Sequence, residues 1–143
     1  MADFIVIDQD QALFFPTFGV ALVVPQPGKI TASGPATLNG KKVCIEGDEG
    51  TVTVQGCTYM TPVYSIPGTG TLLIDQLGAD QVAEHTQSGS TKVLLKGSKF
   101  KAKFQVQSPA QQPTAGGPIP DSTTEYGNGE GMFVTTNAKF TGT

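Results

Sequence analysis

Residues 34–48 read Gly34-Pro35-Ala36-Thr37-Leu38-Asn39-Gly40-Lys41-Lys42-Val43-Cys44-Ile45-Glu46-Gly47-Asp48, and residues 90–104 read Ser90-Thr91-Lys92-Val93-Leu94-Leu95-Lys96-Gly97-Ser98-Lys99-Phe100-Lys101-Ala102-Lys103-Phe104. Each has the form of a strand, a glycine turn and a second strand. Laid side by side, Asn39-Gly40 and Lys96-Gly97 fall at matching points. Asn-Gly between apolar residues is a strong hairpin signal, because both central positions of a type I′ turn need φ > 0. A hairpin used twice in a glycine-rich chain predicts a folded-back β scaffold.

The composition agrees. Eighteen glycines and ten prolines in 143 residues, with no Trp, favour short strands joined by tight turns over helices. An apolar content of 38% in a chain of this length is enough for one domain with a core. Every Lys/Arg position is a lysine, and the net charge is −3. Arginine is the residue suited to bidentate phosphate and base recognition, so nucleic acid is not an expected partner. The apolar run Val20-Ala21-Leu22-Val23-Val24 is too short to cross a membrane. Met1-Ala2-Asp3-Phe4 lacks the basic and long apolar regions of a signal peptide, so synthesis in the cytoplasm is expected, with signal-free export left open. Two cysteines do not make a disulfide framework.

Along the chain, Phe4-Ile5-Val6-Ile7 reads as a strand, and Phe14-Phe15-Pro16 is interrupted by its proline. Val20 to Val24 reads as a buried strand ended by Pro25-Gln26-Pro27-Gly28. Thr51-Val52-Thr53-Val54 alternates strictly, and Thr71-Leu72-Leu73-Ile74 is a further strand. Residues 75–85 are the one helical candidate, with Ala79, Val82 and Ala83 on one face. From 99 to 106, Phe100, Ala102, Phe104 and Val106 face a core while Lys99, Lys101, Lys103 and Gln105 face away. Residues 108–131 are rich in Pro, Gly and Gln, and Met132 to Thr135 is a last strand. The expected organisation is therefore a β domain over 1–107 and an extended segment, 108–143, packed on it.

Residues Ser33 to Asp48 resemble the core motif of the PAAR-repeat spike-tip proteins, roughly S-P-x-V-x-I-N-G-K-P-A-A-R-x-G-D. The spacing from Asn39 to Asp48 is that of the motif, with Lys42-Val43-Cys44-Ile45 in place of P-A-A-R. Upstream the chain is one residue shorter. Ser90 to Gly97 follows the first half of the motif and then departs from it. The resemblance implies a mainly β fold: a small cone, or compact β-hairpin scaffold, of pseudo-threefold character with at most one short helix. It also implies a cap on a trimeric β-helical spike, one per trimer, that sharpens a contractile injection machine of the type VI secretion or phage-tail-like kind. Such caps make transient contact with the target membrane, and effector cargo is a further implied partner. Only two hairpin copies are legible, so the third edge is expected from divergent sequence around 51–74.

Family members often hold zinc at the apex through His and Cys. The candidate ligands here are Cys44, Cys57 and His85, residue types suited to tetrahedral zinc but without finger spacing. Against this, Cys44 alternates with Val43 and Ile45 and reads equally as a core residue. Asp48 and Glu49 read as a solvated turn rather than an acid–base pair. Pro67-Gly68-Thr69-Gly70 precedes a strand, not a helix, and so lacks the amides of a phosphate cradle. The lysine row at 99, 101 and 103 reads as a solvent face. A catalytic role is not expected. The alternative to the cap is a β-rich binding or baseplate module outside the PAAR family.

Overall fold

The period-two alternation expected from Phe100 onward is realised, and in other long strands it is interrupted. The structure, a computed structural model, describes residues 3–38, 40–137 and 140–142. The strands near the N-terminus are β1 (Asp3–Phe4), β2 (Gln11–Phe14), β3 (Thr17–Phe18), β4 (Ala21–Val23), β5 (Gly28–Lys29), β6 (Thr37–Leu38) and β7 (Lys41–Lys42). The long strands follow, β8 (Thr53–Met60), β9 (Gly68–Gln76), β10 (Val82–Ser88), β11 (Thr91–Leu94) and β12 (Phe100–Ser108). The last are β13 (Gln111–Gln112), β14 (Ile119–Pro120), β15 (Glu125–Val134) and β16 (Thr141–Gly142). Among the described residues the helical content is two single turns of 3-10 helix, Asp48–Thr51 and Ala79–Gln81. The fold is mainly β, with no more helix than the composition predicts.

The helix expected over 75–85 is replaced by one 3-10 turn and the start of β10. Gly78 breaks the pattern, and pairing with β11 outweighs a weak helical periodicity.

Eight strands form one antiparallel sheet in the order β3-β4-β8-β9-β12-β15-β2-β5. Register shifts between Val54 and Cys57 and between Ala102 and Phe104 add local twist, and the sheet curls into a half-barrel. Its concave side is filled by aromatic rings. Phe100 meets Phe14 edge-on with centroids 5.4 Å apart, and Phe133 at 5.2 Å. Tyr59 meets Phe104 at 5.1 Å. Glycine makes room for these rings: a Cβ on Gly131 would run into the Phe100 ring, and one on Gly70 into Phe104.

Two expectations need revision. The run Val20 to Val24 is not buried as a whole. Ala21 and Val23 face the core, whereas Val20, Leu22 and Val24 are 69%, 52% and 62% exposed. The segment 108–143 does more than pack on residues 1–107, because β15 lies between β12 and β2 in the main sheet. It begins well before Met132. Gly127 and Gly129, and Asn128 at φ 60, disguise its first half.

Candidate functional site

Three short runs of sequence meet around one axis at the end of the half-barrel: Phe4 to Asp8, Lys42 to Glu46 and Lys92 to Lys96. Their central residues form a closed ring of backbone hydrogen bonds. Val6 N–H donates to the Leu94 carbonyl (3.0 Å), Leu94 N–H to the Cys44 carbonyl (2.9 Å) and Cys44 N–H to the Val6 carbonyl (2.9 Å). A second set repeats the pattern further out. Asp8 N–H donates to Lys42 (2.8 Å), Glu46 to Lys92 (2.9 Å) and Lys96 to Phe4 (2.8 Å). The antiparallel bridges obey the same rule, pairing Ile5 with Leu95, Ile7 with Val43 and Ile45 with Val93. The result is a wheel of three strands with pseudo-threefold symmetry.

Alternation along each spoke gives the wheel two apolar faces. Val6, Cys44 and Leu94 are fully buried and join the core of the half-barrel. Ile5, Ile7, Val43, Ile45, Val93 and Leu95 form a second core on the opposite face, with Ala83 and Leu38 packed among them. Each spoke continues at its N-terminal end into a two-stranded ribbon: β6–β7, β10–β11 and β16–β1.

Each spoke ends in a turn with one residue at positive φ: Gln9 at 66°, Gly47 at 106° and Gly97 at 55°. The two copies therefore align differently from the sequence expectation. Gly97 corresponds to Gly47, so Lys42-Val43-Cys44-Ile45-Glu46-Gly47 matches Lys92-Val93-Leu94-Leu95-Lys96-Gly97. Gly40 (φ 79) and Gly89 (φ 67) occupy the corresponding ribbon turns. Asn39 lies outside the described residues. The third copy is Phe4 to Gln9, not residues 51–74, which supply strands of the main sheet.

Carboxylates clip these turns. Asp10 accepts from Ile7 N–H (2.8 Å), and Asp48 accepts from Ile45 N–H (2.9 Å) at the equivalent point. Asp48 also accepts from Ser33 N–H and hydroxyl. It is buried, so the reading of a solvated turn is wrong for Asp48. At the third turn the order is reversed: Ser98 donates to Asp80 on the neighbouring segment. Asn137 secures the Phe4–Asp8 spoke by donating to the Ile5 carbonyl (2.9 Å).

The residues considered for zinc are not gathered. Cys44 and Cys57 are buried in the main core. His85 lies on β10 with its side chain 77% exposed, 3.8 Å from Glu84. Among the described residues, no three of His, Cys, Asp and Glu stand close enough to hold a metal ion. Burial pushes the Cys44 thiol up, and Asp48, Asp10 and Asp8 push the same way. Burial raises the Cys57 thiol too, against a Gln26 backbone hydrogen bond. With Cys44 and Cys57 enclosed in the main core and His85 out on β10, the three do not together make a zinc site.

The lysine row flanks an open polar hollow lined by Asp75, Gln76, Lys101, Asn128 and Glu130. Lys103 stands 3.9 Å from Asp75, and Lys99 stands 3.9 Å from Glu130. Pairs of this exposure are weak, about 0–1 kcal/mol each, which agrees with a solvent face.

A cluster missed in the sequence joins three distant segments. Tyr59 and Tyr126 hydroxyls both donate to Asp121 Oδ2, at 3.0 and 2.6 Å, and Ala110 N–H donates to the Tyr59 oxygen. It fastens the 109–124 strap to β8 and β15. Burial opposes the Asp121 charge, but the hydrogen bonds from Tyr126, Thr123 and Tyr59 outweigh it and hold the carboxyl below its usual range. Burial, then Asp121 itself, pushes the Tyr126 phenol up to about 12.

No curated protein matches the chain. A family model described as contractile injection system spike tip protein matches residues 1–143, the full length given. Coming to the same chain as the motif resemblance and the three-spoked wheel, that match means that the chain belongs to the spike tip protein family of contractile injection systems.

Proposed function

We propose that the chain caps a trimeric spike, one copy per trimer, with the wheel end as its seat. The observation that carries this is the closed hydrogen-bond ring through Val6, Cys44 and Leu94. It gives one polypeptide three near-equivalent ribbons, which suits three identical partner chains. A blunt trimeric β-helix exposes strand ends and apolar core, and a cap covers both. The protein then acts mechanically, sharpening the particle for membrane penetration while the sheath supplies the force, and no catalysis is required of it. Effector cargo, where carried, travels on this cap.

The seat is held by packing and hydrogen bonds rather than by metal. Elemental analysis of protein purified without chelator or His tag is expected to give no stoichiometric zinc. Near-stoichiometric zinc that disappears in His85→Ala would overturn that part. The cap itself is tested by mixing the protein with the purified trimeric spike and measuring mass. A complex of one cap to three spike chains is expected, and a stable trimer of the isolated protein would argue against it.

A further inference from the structure

The chain's charges are segregated. Residues 11–28, 51–74 and 104–120 contain no Asp, Glu, Lys or His, and they hold all ten prolines except Pro35. The fold brings these segments together. Leu22 pairs with Met60, Val24 N–H donates to the Thr58 carbonyl, and Ile66 bridges Gln111. Ala21 and Val23 point into the core, so Val20, Leu22 and Val24 stand on the outer face of the sheet. Met60, directly opposite Leu22, shares that face. All four are exposed, and Val63 and Ile66 are exposed in the loop that follows Met60.

Together these six side chains expose about 500 Å², within the range of the largest apolar patch on a monomer, which is often an interaction site. Two such faces laid together bury about 1,000 Å² of apolar surface before their polar neighbours are counted, the size at which a specific interface begins. Pro25, Pro27, Pro62 and Pro67 stiffen the loops at its border, so little conformational freedom is lost on docking. The surface offers side chains rather than a strand edge. Edge strand β3 is two residues long and is preceded by Pro16, so an added strand finds few backbone groups to pair with.

We infer that the occupant of this face is a second copy of the chain, in a two-fold dimer of the free protein. The lack of charge selects that partner. Across a two-fold axis a surface meets itself, so any charge in it is brought near a like charge and repelled. This face has no charge to repel its copy, and none to steer or orient a different protein. Two such sheet faces pack with their side chains interdigitated, about 10 Å apart. The buried area is at the low end for a specific complex, so the dimer is reversible, with a Kd of about micromolar. It belongs to the protein before assembly. A cap used once per particle has no second copy beside it, and mass action then frees the face. The face lies on strands of the main sheet and not on the wheel, so dimer formation does not depend on the seat.

The test is sedimentation equilibrium of the full chain, over about a hundredfold range on either side of micromolar, at low and high salt. The mass is expected to rise with concentration from 14.9 kDa towards twice that value. The rise should be equal at both salts, because no ion pair is made. Leu22→Asp and, separately, Val63→Asp are expected to weaken dimerisation at least about a hundredfold. Both positions are exposed, and melting that matches the parent at the dilute end, where the chain is monomeric, confirms folding. Val134→Asp, exposed on β15 beside β2, leaves the dimer intact. A monomer at the highest concentration, or a dimer kept in both aspartate variants, overturns the inference. So does a monomer that floats with phosphatidylcholine vesicles, which would make lipid the occupant. The one-to-three spike complex, measured with the parent and with Leu22→Asp, separates the two readings. If both form it while the free protein is monomeric, only the dimer falls. If Leu22→Asp abolishes it, the spike occupies this face and both readings fall.

Discussion

Asp121 shows how one residue ties distant parts of the chain. Its carboxylate takes hydrogen bonds from two tyrosines on different strands, and its own amide N–H donates to Ala110 (2.8 Å). Hydrogen bonds to a charged group are worth about 1.5–3 kcal/mol, so Asp121→Asn should destabilise by about that much at neutral pH. The pH dependence follows from the lowered carboxyl. Its contribution is complete above the unfolded value, about 3.9, and is lost as pH falls through the lower folded value. Melting curves of the two proteins should therefore converge below about pH 4. Gly47 is a second decisive residue. At φ 106 it sits where only glycine is at ease, with open space around it, so strain alone opposes a side chain. Gly47→Val should cost about 1–3 kcal/mol in denaturant unfolding, and Gly40→Val at φ 79 a similar amount. An unchanged midpoint for either would mean that the turn is not under strain.

At the scale of elements, the spokes and the β3–β4 hairpin use similar apolar runs to opposite ends. Leu94 is fully buried at the wheel's centre, and Leu22 is half exposed. Leu94→Ala should cost about 2–5 kcal/mol, while Leu22→Ala should stay within about 0.5 kcal/mol. Equal losses, read by urea unfolding, would contradict the burial described. The comparison also explains what could be read in advance. The hairpins, the alternation at 99–106 and the interruption at Pro16 are local signals, and local rules predict them. The spoke alignment is masked because each spoke has a glycine turn on either side, Gly40 and Gly47 for one and Gly89 and Gly97 for the other, and local spacing pairs Gly40 with Gly97 instead of Gly47 with Gly97. The third spoke was hidden more deeply. Phe4 to Gln9 has no glycine at its turn, Gln9 taking φ 66 instead, and its ribbon partner β16 lies at the opposite end of the sequence. The unbroken apolar run Val20 to Val24 predicts burial on both faces, whereas Val20, Leu22 and Val24 face outward, because a run without alternation does not say which neighbours cover it. For the candidate site, Cys44 as a core filler was legible from alternation. That Cys57 and His85 do not join it is a long-range fact.

For the whole molecule, the ribbon β16–β1 stands where the other two spokes have hairpins closed by two-residue turns. Joining residue 143 directly to residue 1 would make the third hairpin, with residues 143, 1 and 2 as its connection. A circular permutant so joined, opened at 89–90, should fold with a melting temperature within a few degrees of the parent. Failure to fold would mean that the three ribbons are not interchangeable. The wheel also has a consequence for how a particle looks as an ensemble. Seated as proposed, one cap on three identical chains would have three rotational placements of nearly equal energy, a statistical advantage of about 0.6 kcal/mol, RT ln 3. Each particle would freeze one of them. Averaging images with threefold symmetry imposed would keep the spokes and blur the β3–β4 hairpin into thirds. Sorting particles by orientation would bring the hairpin back, pointing in one of three directions.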